Sequence, residues 1–197
     1  YIVNSVETQL FSLSFKKGVK CLVFGGSQGA LKLNAFMESI YSWFEENDIT
    51  LIHVFGDRDY SKKGYESDYH VIKNDQGEII RVEARFINDM QKAYAWADKV
   101  ISRAGGTSIA ELIYYRKPAL LVPFKHATDN HQFYNAKYYV EKNLGWLIRE
   151  NEIAENFLYK FIINLIKNKK LLFQKKKNMR DFHKKYDWYY NSKKFKN

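Results

Sequence analysis

Residues 19–55, VKCLVFGGSQGALKLNAFMESIYSWFEENDITLIHVF, settle the architecture. Val19 to Phe24 is a short apolar run that stops at Gly25-Gly26-Ser27-Gln28-Gly29. Leu31, Leu33, Phe36, Met37, Ile40 and Phe44 then recur at near-helical spacing. A second apolar run, Ile49 to Phe55, follows at once. Strand, glycine turn, helix and strand make a βαβ unit, whose two strands lie parallel and are joined by a right-handed crossover.

Working outward, the alternation continues. Residues 56–68 are polar and read as a loop, and Tyr69 to Ile72 and Ile79 to Phe86 alternate around Asn74-Asp75-Gln76-Gly77, as a hairpin or an irregular strand does. A helix is expected from Asp89 to Trp96, a strand from Lys99 to Ser102, a helix from Ser108 to Tyr115, and a strand from Ala119 to Val122 that Pro123 closes. Gln132 to Lys142 reads as helix, Gly145 to Ile148 as a last short strand, and Ile153 to Ile166 and Leu171 to about Tyr186 as amphipathic helices. Strands separated by helices of this length predict an α/β fold, a doubly wound parallel sheet. Without repeats or a Pro- or Ser-rich linker, residues 1–15 read as a connecting segment and the remainder as one domain ending in a basic helix and tail from residue 169.

The 197 residues suffice for one full domain that buries roughly two-thirds of its surface. A single cysteine, Cys21, cannot form an internal disulfide, and 46% apolar residues with 17% aromatics are too many for a disordered chain. The composition points to a globular, intracellular protein; no stretch is apolar enough to span a bilayer, and no basic-then-apolar leader opens the sequence. It opens with Tyr1 rather than Met, as a piece of a longer protein would. The net charge of +10 is concentrated: from Lys160 onward 13 Lys and Arg face only Asp181 and Asp187, whereas the body is near neutral. A nucleic-acid-binding module carries its charge across the folded face, so this distribution argues against one. A solvated tail, or contact with anionic lipid or a partner, remains.

In an open parallel sheet ligands collect at the carboxyl ends of the strands, so the strand-to-helix turns carry the chemistry. Gly25-Gly26-Ser27-Gln28-Gly29-Ala30 lets the backbone approach a ligand and precedes a helix start with free N–H groups. It matches neither the dinucleotide fingerprint nor the P-loop, and as a bare spacing it is equally a tight turn without a ligand. Ser102-Arg103-Ala104-Gly105-Gly106-Thr107-Ser108 sets glycines and two hydroxyls at a helix start, a diphosphate site in type. Glu111, three residues beyond Ser108, suits either a ribose diol or a capping-box partnership, and Arg103 either a phosphate or an acid inside the fold. Asp129-Asn130-His131-Gln132 with Asn135 suits a sugar's hydroxyls or a polar helix cap. Arg85-Phe86-Ile87-Asn88-Asp89 offers an aromatic, an aliphatic and open backbone for a flat base, or a plain strand end.

Other features are weaker. Asp57-Arg58-Asp59 has the spacing of a metal–diphosphate site but sits in a polar stretch, and His53, His70, His126 and His183 show no metal-ligand spacing. Cys21 lies inside a strand pattern, where a buried inert thiol is the default. No Ser/His/Asp or Cys/His arrangement emerges. Trp188, Tyr189 and Tyr190 in the basic tail suit a membrane interface or packing onto the domain.

Taken in order, Gly25 to Ala30, Phe86 to Met90, Ala93-Tyr94-Ala95-Trp96-Ala97-Asp98, Ser102 to Glu111 and Asp129 to Ala136 resemble the MurG family of peptidoglycan N-acetylglucosaminyltransferases, which convert lipid I to lipid II. The resemblance runs over residues 1–150 and, by helix pattern, beyond. It implies the Rossmann-like, donor-binding C-terminal half of a two-domain GT-B enzyme, with residues 1–15 an interdomain connection, 16–168 the UDP-sugar domain and 169–197 a basic helix and tail. It implies further that the Ile87 backbone pairs with uracil beside Phe86 and that Glu111 holds the ribose. The diphosphate would fall to Ser27 with the turn Gly106-Thr107-Ser108, and the N-acetylglucosamine to His131, Gln132 and Asn135, with Gly26, Arg103 and Gly105 expected at the same substrate site. The implied partners are UDP-N-acetylglucosamine and, through an N-terminal half that also holds the general base, lipid I, at the cytoplasmic face of the bacterial membrane. No metal, cofactor or nucleic acid is implied. Where the family usually has Gly-Asn-Pro-Val-Arg, this sequence has Val3-Asn4-Ser5-Val6-Glu7, without Pro or Arg. A stand-alone nucleotide-sugar-binding subunit that works with a separate membrane partner is the rival expectation.

Overall fold

A computed structural model describes residues 10, 11, 13–26, 30–152, 162 and 168–186. The expected strand β1 is Val19–Phe24, followed by helices α1 (Leu31–Ser39) and α2 (Tyr41–Glu46) and by β2 (Ile49–Val54). The single helix expected between β1 and β2 is thus broken at Ile40, whose N–H turns back to the Met37 carbonyl at 3.2 Å. Met37, Ile40 and Phe44 still reach the same buried cluster. Beyond β2 the chain forms α3 (Asp57–Tyr60), a 3-10 turn (Ser61–Lys63), β3 (Tyr69–Lys73), β4 (Ile79–Ala84), α4 (Met90–Trp96) and β5 (Lys99–Ser102). The rest comprises α5 (Gly106–Tyr114), β6 (Ala119–Leu121), α6 (His131–Glu141), β7 (Trp146–Leu147) and α7 (Lys169–Tyr186).

The polar stretch 56–68 is therefore not all loop. Tyr60 is buried there, and the Asp59 carboxylate accepts from Asn34 Nδ2 at 2.8 Å, so tertiary contacts fold a turn that carries no apolar period of its own. The expected hairpin is real: β3 pairs antiparallel with β4, and Asn74 Oδ1 accepts from the N–H groups of Gln76 and Glu78 to close the turn. Gly77 holds φ +77 in that turn, a left-handed conformation that glycine adopts without strain. The amphipathic helix expected at 153–166 and the aromatic tail at 188–190 lie outside the described residues.

Among the described residues the strands form one sheet in the order β3-β4-β2-β1-β5-β6-β7, parallel except for β3. Both faces are covered. Leu22, Phe24, Ile52, Val54 and Val100 point to a cluster with Tyr94, Leu112 and Tyr139 from α4, α5 and α6, and Met179 of α7 joins them. Cys21, Val23, Leu51 and Ile101 point the other way, onto Leu33, Met37 and Phe44 of α1 and α2. Continuous apolar strands are what such double burial requires. Leu10 packs into the first cluster, and Phe15 bridges to Ile79.

The order fixes where a ligand can enter. From β1 the chain moves to β2 on one side and later places β5 on the other, so the crevice between the carboxyl ends of β1 and β5 is the topological switch point.

Candidate functional site

The two glycine turns meet at that crevice. β1 and β5 are neighbours in register from Cys21 against Lys99 to Phe24 against Ser102, so Gly25-Gly26 and Gly105-Gly106 leave adjacent strand tips. They share a cavity of about 390 Å³ with Phe86, Ile87 and Glu111, a volume typical of a small-molecule site. Gly26 has φ +92, a backbone conformation that side chains rarely adopt, which explains a glycine at that bend. Ser27 lies outside the described residues.

The floor of the cavity is the start of α5. Gly105 is its N-cap and no side chain caps it, so the amides of Gly106, Thr107 and Ser108 have no intrahelical acceptor. Together with the helix dipole they form a cradle for an anion. Glycine matters here for access: a Cβ at Gly106 would meet nothing within 4 Å, so a ligand can approach the backbone itself. Because α5 begins at Gly106, Glu111 lies in its second turn and is not a capping-box partner. Its carboxylate lines the cavity and accepts from the Tyr94 hydroxyl at 3.0 Å. On the opposite wall Phe86 is half exposed while Ile87 is buried.

Other expected site residues are occupied by the fold. Arg103 has the internal partner that the sequence left open: it is 5% exposed, donates to the carbonyls of Val122 and Pro123 at 3.1 and 3.2 Å, and pairs with Glu150 at 2.5 Å. Gln132 Oε1 accepts from the Phe124 N–H at 3.0 Å, and Asn135 Nδ2 donates to the Ala104 carbonyl at 3.1 Å. His131 Nδ1–H donates to the Thr128 carbonyl at 2.7 Å. None of these three lines the cavity of the glycine turns, yet Asn135 ties α6 to the residue just before Gly105. The polar cap expected from Asp129 or Asn130 does not form; both adopt positive φ, and α6 has no side-chain cap.

Arg85, Met90 and Gly56 also line the cavity. Arg85 and Met90 lie on either side of Phe86-Ile87 in the sequence, and Gly56, two residues past β2, is the same kind of strand-tip signal as Gly26, two residues past β1. The Arg85 guanidinium lies 2.7 Å from Asp57 and 5.9 Å from the Phe86 ring centroid. Asp57 and Asp59 therefore serve Arg85 and Asn34, and among the described residues no three His, Cys, Asp or Glu groups stand close enough to hold a metal. Cys21 is buried as expected, and burial pushes its thiol up to about 12.

A doubly wound sheet with an anion cradle, an acid and an aromatic wall at its switch point is a Rossmann-like arrangement, and the comparisons place it among the GT-B glycosyltransferases. The family model of the glycosyltransferase family 28 C-terminal domain matches residues 20–188, and the chain belongs to that family. It is 37% identical over 86% of its length to the UDP-N-acetylglucosamine–N-acetylmuramyl-(pentapeptide) pyrophosphoryl-undecaprenol N-acetylglucosamine transferase of Psychromonas ingrahamii, and 31% identical over 90% to that of Coxiella burnetii. It covers 47% and 50% of those two proteins, so the chain spans about half the length of the curated relatives it matches. Among solved structures, Acinetobacter baumannii MurG superposes with a TM-score of 0.65 at 25% identity, over 84% of this chain and 48% of that one. The glycosyltransferase VinC shares the fold, with a TM-score of 0.57 at 15% identity over 87% of this chain and 39% of its own.

Proposed function

We propose that this chain is the donor-binding half of an inverting N-acetylglucosaminyltransferase that moves N-acetylglucosamine from UDP-N-acetylglucosamine to lipid I, forming lipid II. The observation that carries the reading is the convergence of Gly26, Gly105-Gly106, Phe86-Ile87 and Glu111 on one cavity at the switch point. The relatives' activity on an undecaprenol-linked acceptor supports the reaction class. In this proposal residues 16–168 form the donor unit, 1–15 connect it to the acceptor half, and 169–197 are a basic appendage. Uracil lies against Phe86 with its edge at the Ile87 backbone, Glu111 accepts from the ribose hydroxyls, and Ser27 and the Gly106-Thr107-Ser108 amides hold the diphosphate. His131, Gln132 and Asn135 face the sugar from the start of α6.

The acceptor hydroxyl attacks the anomeric carbon from the face opposite UDP, so the configuration inverts as the C–O bond to the β-phosphate breaks. Negative charge grows on that phosphate, and the amides at the start of α5 stabilise it without reorganising, an electrostatic contribution built into the helix. The proton leaves the acceptor to a base in the other half of the enzyme. The chain alone binds donor and turns over little.

Membrane contact belongs to the same proposal. No helix among the described residues is long and apolar enough to cross a bilayer. The exposed face of α7, with Lys170, Lys177, Arg180, Lys184 and a Phe173 that is 65% exposed, suits peripheral contact with anionic lipid at the cytoplasmic face. Calorimetric titration with UDP-N-acetylglucosamine and with an ADP-sugar tests the donor reading: a clear preference for the UDP-sugar is expected, and equal binding overturns it.

A further inference from the structure

The acid that lines the cavity is held from behind by a residue that never reaches it. Tyr94 of α4 is fully buried, with its ring stacked on Tyr115 at 5.1 Å between centroids and set edge-on to Phe24 at 6.1 Å. These contacts leave the phenol one direction, and there its hydroxyl donates to Glu111 Oε2 at 3.0 Å. A phenylalanine would fill the same space without the cost of burying a hydroxyl, so packing alone does not account for the tyrosine. Burial and the adjacent carboxylate push the phenol well above its ordinary range, which keeps the hydroxyl protonated and donating at any pH the folded protein meets.

We infer that Tyr94 is a positioning residue for nucleotide recognition: it fixes the Glu111 carboxylate in the orientation that a vicinal diol needs, so the ligand does not have to order it. The inference rests on the UDP reading of the cavity. A carboxylate has lone pairs enough to accept from the phenol and from two ribose hydroxyls together. Without the phenol, the Glu111 side chain regains rotational freedom that binding must remove again.

The test is calorimetry on the full chain with UDP and with 2′,3′-dideoxy-UDP, which lacks the diol. In the unsubstituted protein UDP binds more tightly than the dideoxy compound. Tyr94→Phe weakens UDP by about three- to tenfold, the cost of re-ordering one side chain, and leaves dideoxy-UDP unchanged. Equal weakening of both ligands, or no change in UDP affinity, overturns the inference. A second comparison holds even if Tyr94→Phe lowers stability: in a Glu111→Ala background the same substitution adds no further loss of UDP affinity, and any added loss overturns the inference. If the unsubstituted protein fails to bind UDP, the nucleotide reading falls and this inference with it. If the diol preference is intact in Tyr94→Phe, only the positioning role falls.

Discussion

The turns that follow β5 and β6 stand side by side in one sheet and both lead into helices, yet they are built in opposite ways. After β5 come Gly105, Gly106, Thr107 and Ser108, whose amides at the start of α5 have no intrahelical acceptor. After β6 the Phe124 amide is taken by Gln132, the Lys125 amide by Glu150, and the carbonyls of Val122 and Pro123 by Arg103. The second turn is richer in hydrogen-bonding side chains and has fewer groups to spare. Long polar side chains near a strand tip close the fold on itself, whereas glycines leave the main chain open to a ligand.

The sharpest way to break this contrast is to cut the pair beneath the second turn. Arg103 and Glu150 are both nearly inaccessible, and removing one partner leaves the other charge buried and alone. Glu150→Ala is expected to lower unfolding free energy by about 3–5 kcal/mol, measured by urea titration. A loss under about 1 kcal/mol, well short of the cost of breaking a buried pair, accompanied by loss of UDP binding would make the Arg103–Glu150 pair part of the ligand site rather than a brace within the fold.

The converse holds for the first turn. Glu111→Ala removes a charged acceptor from the cavity and is expected to cost about 1.5–3 kcal/mol of UDP affinity, roughly ten- to a hundredfold. The urea midpoint should fall by less than in Glu150→Ala, because Glu111 is only partly buried and its removal strands the buried Tyr94 hydroxyl rather than a charge, a loss of about 1–3 kcal/mol. Gly106→Ala sharpens the same point. A Cβ there meets no protein atom within 4 Å, so stability is expected to be unchanged, while donor affinity falls about tenfold because the methyl occupies the ligand's approach to the amides. Unchanged affinity in that variant would mean the phosphates do not lie against α5.

How far the sequence discloses all this differs between the two turns for the same reason. β1 and β5 were legible to the residue, since buried parallel strands are apolar runs and glycines end them. The grouping of Gly26, Gly106, Phe86 and Glu111 rested on the rule that ligands collect at the carboxyl ends of parallel strands and on the family resemblance, while the strand order that joins their turns is visible only in the structure. Arg103 was not legible: its partner Glu150 lies 47 residues away, and nothing local distinguishes a phosphate ligand from an internal cation. The break at Ile40 and the short α3 were hidden likewise, because Asn34, Asp59 and Tyr60 are fixed by contacts across the chain rather than by a periodic pattern. Glu7 and its neighbours lie outside the described residues, as does Ser27.

A third polar group shows how completely the fold can close around charge-bearing side chains. His53 on β2 is fully buried; Asn34 spends its amide N–H groups on Phe55 and Asp59, so its Oδ1 accepts from His53 Nε2, and Nδ1 accepts from the Tyr41 hydroxyl at 2.6 Å. This pattern needs the neutral ring. Burial, with Lys63 and Arg81 nearby, lowers the imidazole to about 3, far below an unfolded histidine near 6.5. Between those values the unfolded chain binds the extra proton and the folded one does not, so the stabilisation is full above about pH 6.5 and drains away as pH falls toward about 3. From pH 7 to pH 5.5 the loss through this group is expected to be about 1 kcal/mol, the smallest of these effects. It should appear as a drop in urea midpoint that His53→Gln lacks, with UDP affinity following a different pH course because the ring does not line the cavity. A wild-type midpoint as flat across that range as the variant's would mean the ring is charged in the folded state, and the network around Asn34 would have to be redrawn with Tyr41 accepting.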